Sequence, residues 1–242
     1  MEGIKVVELG FWVAGPSCGA ILADWGADVV KVEPLTGDPF RGMAAYFQLA
    51  LGRDVNPPFE LDNRGKRSIG LDYGTERGRR VLEDLIGASD VFVTNLRLEA
   101  LERAGLDHAA LTARHPRLVY ASVSGLGLEG AERHRAAYDV GSFWSRAGVA
   151  AALSPDAGVL PYQRGGMGDH MTGMAAAGCF VETPTGDGAT ARMVATPIDV
   201  GTSAWAPAGP SPEMAQHTEE ILLELGYDWD TITELKEAGA VA

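Results

Sequence analysis

The residues best placed to do chemistry are Asp169 and its setting, Gly165-Gly166-Met167-Gly168-Asp169-His170-Met171-Thr172-Gly173. One carboxylate stands among four glycines, just ahead of an apolar run, Met174-Ala175-Ala176-Ala177, that reads as helix. Glycine lets backbone approach a ligand closely and adopt conformations closed to other residues. A carboxylate in such a setting can act as a nucleophile on an acyl group, provided water is kept away. On these nine residues alone the plainer reading is a helix N-cap, a position that Asp favours. The remainder of the chain decides between them.

The elements that would position Asp169 follow a regular order. Residues 4–9 form a short β-rich run and Gly10 to Gly15 a loop; Pro16 then suits the first turn of a helix that runs to about Trp25 and stops at Gly26. Asp28 to Glu33 is a second strand, and strand, helix and strand within ~30 residues make a βαβ unit with parallel strands. The alternation recurs: strand 68–71, amphipathic helix 75–87, buried strand 90–94, helical pieces near 98–104 and 107–114, strand 118–124. This implies an α/β fold, a Rossmann-like parallel sheet flanked by helices, with ligands beyond the carboxyl ends of the strands. Those ends fall near Gly10–Gly15, Pro34, Asp72, Asn95 and Gly125–Gly127. The first turn lacks G-x-G-x-x-G spacing, so a nicotinamide dinucleotide is not indicated.

Residues 36–62 are less regular and read as a long ligand-facing loop. Residues 179–200 read as strand, turn and strand, with Thr185-Gly186-Asp187-Gly188 as the turn. Pro207, Pro210 and Pro212 make 205–212 irregular; Glu213 to Leu225 is expected to be a helix, and Asp230 to cap a last one through Ala238. No internal repeat is found.

With 242 residues, 46% hydrophobic and 22% charged, the composition is that of an ordinary soluble globular protein. Two cysteines, Cys18 and Cys179, give no disulfide framework or metal-ligand pair. No signal peptide and no ~20-residue apolar span are found, which points to a cytoplasmic protein without a membrane partner. The net charge of -13 argues against nucleic-acid binding. Basic residues nonetheless cluster: Arg64, Lys66 and Arg67; Arg77, Arg79 and Arg80; Arg97 and Arg103; Arg133 and Arg135. The simplest reading of each cluster is a solvated face, above all for the helix-borne 77–80 group.

Taken in order, several segments resemble the family III coenzyme A transferases, the group that includes formyl-CoA transferase and the α-methylacyl-CoA racemases. They are Val13-Ala14-Gly15-Pro16, the run Leu22 to Pro34, Asn63 to Asp72, Ser89 to Asn95, Tyr120 to Gly125, Tyr138-Asp139, the Asp169 segment, and Gln216 to Leu222 with Gly226-Tyr227. The resemblance implies an acyl-CoA enzyme with no tightly bound cofactor, whose substrates are acyl-CoA and a carboxylic acid. Asp169 would attack the thioester to give a mixed anhydride and then an aspartyl-CoA thioester. Backbone N–H groups around Val13 and Ala14 would help line the site. Gly70, Leu71, Asp72 and Tyr73, with Thr94, Asn95 and Leu96, match segments that hold the nucleotide end of CoA. Arg103 and His134-Arg135-Ala136-Ala137 match positions near its phosphates and pantetheine; arginine forks suit phosphate oxygens. Pro34 stands where formyl-CoA transferase has an arginine, which leaves Arg41 or Arg64 as substitutes.

The racemase branch uses a histidine where this chain has Tyr138, and a Tyr of pKa ~10 is a poor base near neutrality. His170 is a weak replacement because adjacent residues usually point different ways. The transferase reading is therefore preferred. The resemblance also implies a large domain (1–178) and a return segment (179–242), with most of a small domain absent near 176–180. It implies a homodimer or a heteromer with a related subunit. A CoA-binding or scaffolding subunit with little catalysis is a second reading, and a generic α/β nucleotide-binding domain a third. Trp12, Tyr46, Phe47, Phe143 and Trp144 either line the acyl pocket or pack the core.

Overall fold

Five β-rich runs, each holding Val or Ile, become one parallel sheet: β1 (Lys5–Leu9), β2 (Asp28–Glu33), β3 (Arg67–Gly70), β4 (Val91–Thr94) and β5 (Val119–Ser122), in the order β3-β2-β1-β4-β5. The computed structural model describes residues 1–42, 56–154, 160–177, 180–184, 190–194 and 212–242. Cys179, Tyr46, Phe47, the turn expected at 185–188 and the irregular stretch 205–211 lie outside the described residues. The helices described are α1 (Ala14–Asp24), α2 (Pro57–Asn63), α3 (Glu76–Gly87), α4 (Leu98–Ala104), α5 (His108–Arg114), α6 (Val149–Ala152), α7 (Met167–Ala176), α8 (Thr218–Glu224) and α9 (Trp229–Glu237). A π-helical segment, Val140–Arg146, precedes α6. Two further strands, β6 (Phe180–Pro184) and β7 (Thr190–Val194), pair antiparallel.

Successive strand residues point to opposite faces, and each face has its own core. Val7, Val30, Val32, Ile69 and Phe92 pack under Leu82, Ile86, Leu101, Leu111, Leu222 and Ile232 of α3, α4, α5, α8 and α9. Val6, Val29 and Val93 face Cys18, Leu22 and Ala23 of α1 and Ala177 at the end of α7. Both faces of the central strands are covered, which is why they read as continuous apolar runs. The C-terminal residues return to the edge strand: Val241 bridges Leu71, the Ala242 N–H donates to the Gly70 carbonyl (3.1 Å), and the Asp72 N–H donates to the Ala240 carbonyl (2.8 Å).

Three expectations need correction, and the plainer alternative for Asp169 is excluded. The 36–62 stretch is not all loop: Asn56 accepts from the Phe59 N–H (3.3 Å), and Pro57 and Pro58 occupy the first turn of α2. Residues 214–217 form a turn, and α8 begins at Thr218. Asp228, not Asp230, caps α9 by accepting from the Thr231 N–H (2.8 Å); Asp230 sits inside the first turn. Asp169 is not an N-cap either, because α7 begins two residues before it and Gly166 is the cap.

Charged residues run through this apolar framework. Glu8, Lys31 and Glu33 on β1 and β2, with Asp38 and Lys66 beside them, are all buried. Lys31 Nζ meets Glu8 Oε1 (3.1 Å), Asp38 Oδ2 (3.0 Å) and the Gly10 carbonyl (3.0 Å). Burial works against its charge, but Glu8, Asp38 and Glu33 outweigh that and hold the amine above its ordinary value. Lys66 Nζ reaches Glu8 Oε2 (2.7 Å) and the carbonyls of Pro16 (2.8 Å) and Asp62 (2.6 Å). Burial, helped by Lys31, pushes its pKa down to about 8. Glu33 accepts two bonds from Arg41 (2.8 and 2.6 Å) and one from Ser68 (2.7 Å).

Lys31 thus neutralises two buried carboxylates; Glu8 also has Lys66, but Asp38 has no other ion-pair partner among the described residues. Lys31→Met is expected to lower unfolding free energy by about 3–5 kcal/mol, the usual cost of orphaning a buried charge. A urea denaturation series would read this directly. A loss below 1 kcal/mol would show that the carboxylates are relieved in some other way.

Candidate active site

A cavity of about 280 Å³ opens beyond the carboxyl ends of β1, β4 and β5, the place where open α/β sheets bind ligands. Its lining combines the cations Arg97, Arg133 and Arg135 with the aromatic rings of Phe11, Trp12, Tyr138 and Phe143. Asp139 and Asp169 are the carboxylates among its lining residues.

The turn from β1 into α1 is held from beneath. Trp12 has φ +67°, a left-handed conformation that costs a bulky residue on the order of 1–3 kcal/mol. Its N–H donates to Asp38 Oδ1 (3.2 Å), which also accepts from the Phe40 N–H (2.9 Å). The Trp12 ring packs on Phe40 (6.2 Å between centroids) and meets Tyr138 edge-on (6.4 Å). Asn95, at the end of β4, clamps the same turn: its Oδ1 accepts from the Phe11 N–H (2.9 Å) and its Nδ2 donates to the Phe11 carbonyl (2.7 Å). A Cβ at Gly10 would stand 2.8 Å from Asn95 Oδ1, so glycine there makes room for the clamp.

Asp169 occupies the first turn of α7, against α1. The two helices close on Gly173, where a Cβ would lie 1.9 Å from Ser17 Oγ and 3.0 Å from the Ala14 carbonyl oxygen. At Gly168 a Cβ would run into Phe143 (2.5 Å), so the backbone beside Asp169 packs directly against that ring. The Asp169 carboxylate has no hydrogen-bond partner among the described residues. Burial, reinforced by Asp139 and Asp62 and opposed by His170, pushes its pKa up to about 6. His170 turns away from it: Nδ1 lies 2.7 Å from the Gly166 carbonyl oxygen and Nε2 2.9 Å from Asp62 Oδ1. Asp139, also buried, accepts from Gln163 Nε2 (2.6 Å).

Of the residues singled out from sequence, Asp169, Ala14, Asn95, Leu96, His134, Arg135, Ala136 and Ala137 line this one cavity. Trp12 and Phe143 line it as well, whereas Trp144 is buried outside it; the other matched positions are placed elsewhere. Val13 is buried against Phe40 and Phe59. Thr94 is fully buried, its hydroxyl donating to the Leu9 carbonyl (2.8 Å) and accepting from the Leu96 N–H (3.2 Å). Gly70 and Leu71 end the edge strand under the C-terminal residues; a Cβ at Gly70 would touch Ala242 and Ala215 (2.9 and 3.0 Å). Asp72 turns back to accept from the Gly74 N–H (3.0 Å), and Tyr73 packs against the core. Arg103 is exposed on α4, its Nε directed at the Glu99 carbonyl (3.4 Å).

Neither proposed stand-in for the missing arginine lines the cavity. Arg41 is committed to Glu33 and to the Pro212 carbonyl (3.1 Å), and Arg64 to Asp24. Arg67 is likewise engaged, with Asp28 (2.6 Å) and Glu224 (2.8 Å). Sequence reasoning passed over Arg97 and Arg133 as cavity residues, although each stands next to a matched segment. It also passed over Asp38 and Asp62, whose importance depends on partners distant in sequence.

Residues 1–181 match the family model described as CoA-transferase family III. The chain is 34% identical over 177 residues to (R)-2-hydroxy-4-methylpentanoate CoA-transferase of Clostridioides difficile, covering 73% of this chain and 44% of that protein. It is 35% identical over 173 residues to cinnamoyl-CoA:phenyllactate CoA-transferase of Clostridium sporogenes, covering 72% and 42%. The crystal structure of a CaiB/BaiF family protein from Brucella suis superposes with a TM-score of 0.64 at 38% identity, over 73% of this chain and 46% of that one. The chain therefore spans less than half the length of these relatives.

Two stability experiments test the geometry. Gly173→Ala is expected to cost about 1–3 kcal/mol by forcing α7 off α1. Adding Ser17→Ala should restore part of that, since it removes the nearest atom but leaves the Ala14 carbonyl. Asp169→Asn acts in the opposite direction. A carboxyl whose folded pKa lies above its ordinary 3.8 makes ionisation unfavourable to the fold. The Asn variant should therefore melt higher than wild type above pH 6, with the gap closing as pH falls toward 3.8. An equal Tm at pH 7.5 would mean that Asp169 is not strained by its surroundings.

Proposed function

The chain belongs to CoA-transferase family III, and we propose that it moves coenzyme A between an acyl-CoA thioester and a carboxylic acid, with Asp169 as the residue acylated in between. The observation that carries this reading is the Asp169 carboxylate: half-buried, without a hydrogen-bond partner among the described residues, and lining a cavity with cations and aromatic rings.

An Asp169 oxygen attacks the thioester carbonyl; the C–S bond breaks, and CoA thiolate leaves a mixed anhydride on the side chain. The thiolate then attacks the aspartyl carbonyl of that anhydride, which releases the first carboxylic acid and leaves an aspartyl-CoA thioester. The incoming carboxylate displaces the thiolate from the aspartyl carbonyl, forming a second anhydride. Attack of the thiolate on the new acyl carbonyl gives the product thioester and frees Asp169. A carboxylate suits these steps because it is both a competent nucleophile and, once acylated, a good leaving group. Raising its pKa to about 6 strengthens it as a nucleophile while keeping it mostly ionised at neutral pH.

The phosphates and pantetheine of CoA fall to Arg97, Arg133 and the 134–137 segment, whose guanidiniums fit phosphate oxygens. Phe11, Trp12, Tyr138 and Phe143 suit an apolar acyl group of the branched or aryl kind named for the two clostridial relatives. Pairing with a second copy or a related subunit, and the division of the chain at about residue 178, belong to the same proposal. A racemase reading is not favoured, since His170 is committed to Asp62 and Tyr138 stands where that chemistry needs a histidine.

The decisive comparison is Asp169→Ala against wild type across a panel of acyl-CoA donors, with CoA affinity measured alongside by calorimetry. The variant is expected to lose roughly three orders of magnitude or more in kcat and to bind CoA about as well as before. Wild-type rate should rise with pH through about 6 as Asp169 ionises. Hydroxylamine should convert the aspartyl thioester to a hydroxamate at residue 169. Full turnover by Asp169→Ala would end the mechanism, and tight CoA binding by a wild type without turnover would favour a scaffolding subunit.

A further inference from the structure

His170 follows the proposed nucleophile directly but serves a different contact. Its Nδ1 faces the carbonyl of Gly166, the N-cap of α7, at 2.7 Å, and its Nε2 faces Asp62 Oδ1 on α2 at 2.9 Å. A carbonyl only accepts, so Nδ1 carries a proton. The opposite nitrogen meets a carboxylate, and that contact also needs a proton between its two partners. Asp62 is 1% exposed, and its Oδ2 has no hydrogen-bond partner among the described residues. A buried carboxylate so sparsely served is costly unless a cation or a shared proton relieves it. His170 supplies that relief.

Resting on Asp169 as nucleophile, we propose that His170 is a positioning residue: the proton held across its Nε2–Asp62 bridge ties the first turn of α7 to α2 and fixes the backbone from which Asp169 projects. Among the described residues the charged groups around it are few. Asp62 faces the ring from α2, with Lys66 and Arg64 acting on that carboxylate; Asp169 lies beside it on α7, and Asp139 acts on Asp169. The hydrogen bond to Asp62, against the opposing effect of burial, raises His170 above its ordinary 6.5. Burial raises Asp62 as well, so the two titrate as a unit. The sign follows. The bridge is intact below the pair's pKa and fails as pH rises through it, when a ring lone pair is left facing a carboxylate. Ionisation of Asp169 gives the acid limb of a bell, and loss of the bridge gives the alkaline limb.

The test measures kcat and KM against pH for wild type, His170→Gln and Asp62→Asn, and follows the His170 ring of the resting protein by NMR. Expected are an alkaline limb above 6.5 in wild type only and, in both variants, kcat lowered by on the order of tenfold to a hundredfold with KM little changed. The ring should titrate above 6.5 in wild type and drop toward that value in Asp62→Asn. Wild-type kcat and an unchanged alkaline limb in His170→Gln would overturn the proposal while leaving Asp169 as nucleophile. Should Asp169→Ala stay active, the nucleophile reading falls instead. The NMR titration then judges the bridge alone, and a wild-type ring titrating at or below 6.5, or one unmoved by Asp62→Asn, overturns it.

Discussion

A single buried ammonium, Lys31, carries much of the structural burden here. It lies in the second strand of the sheet with no exposure to solvent and draws in Glu8, Asp38 and the Gly10 carbonyl. Without it, Asp38 would keep its backbone donors but lose the cation that neutralises it, and Asp38 is what accepts the Trp12 N–H. Trp12 holds its left-handed backbone only because the surroundings fix it from several directions. That backbone sets where the β1–α1 turn passes and therefore where α1 begins. The cavity wall at Phe11, Trp12 and Ala14 is in this sense built on a salt bridge inside the sheet.

The same construction explains how a carboxylate can be left unsatisfied at the cavity. Asp169 is not assisted by a cap, a salt bridge or a donor side chain among the described residues, and its elevated pKa expresses that cost. It is tolerated because α7 is anchored elsewhere, by the close approach of Gly173 to Ser17 and by Ala177 in the core beneath α1. Stability is drawn from packing remote from the cavity, and a reactive group is kept destabilised within it, a division common at functional sites.

Sequence alone made the sheet legible because its strands are short and rich in β-branched residues, the central ones buried, and because Pro16 marks a helix start by local chemistry. Element boundaries were less so. Asp228 and Asp230 are two acidic residues in one short stretch, and only the N–H geometry of Thr231 tells which caps. Asp169 stood out by composition, and the 134–137 segment by resemblance. By contrast Gly70 to Tyr73 and Arg103 drew attention through matched positions, yet they lie at an edge strand and on an outer helix face. Glu8 and Lys31 each interrupt an otherwise apolar strand, and neither was singled out from sequence. Their burial follows from register, which sets Glu8 opposite Lys31 across β1 and β2, and no local pattern announces that. Asp62 was hidden for a related reason, since its partner lies 108 residues away.

These pieces join into one continuous set of contacts. Lys31 binds Glu8, and Glu8 binds Lys66; Lys66 donates to the backbone carbonyl of Asp62, whose carboxylate meets His170 on the helix that bears Asp169. A connected path is not by itself a conduit for conformational change, which would require an element with two arrangements. What it does provide is redundancy of position. The turn at Trp12 and the first turn of α7 are both referred back to the same buried charges in the sheet, so the two walls of the cavity share one frame. For a reaction in which the same carboxylate must be reached in turn by an acyl carbon, a thiolate and a second carboxylate, constancy of that frame matters more than any single added contact.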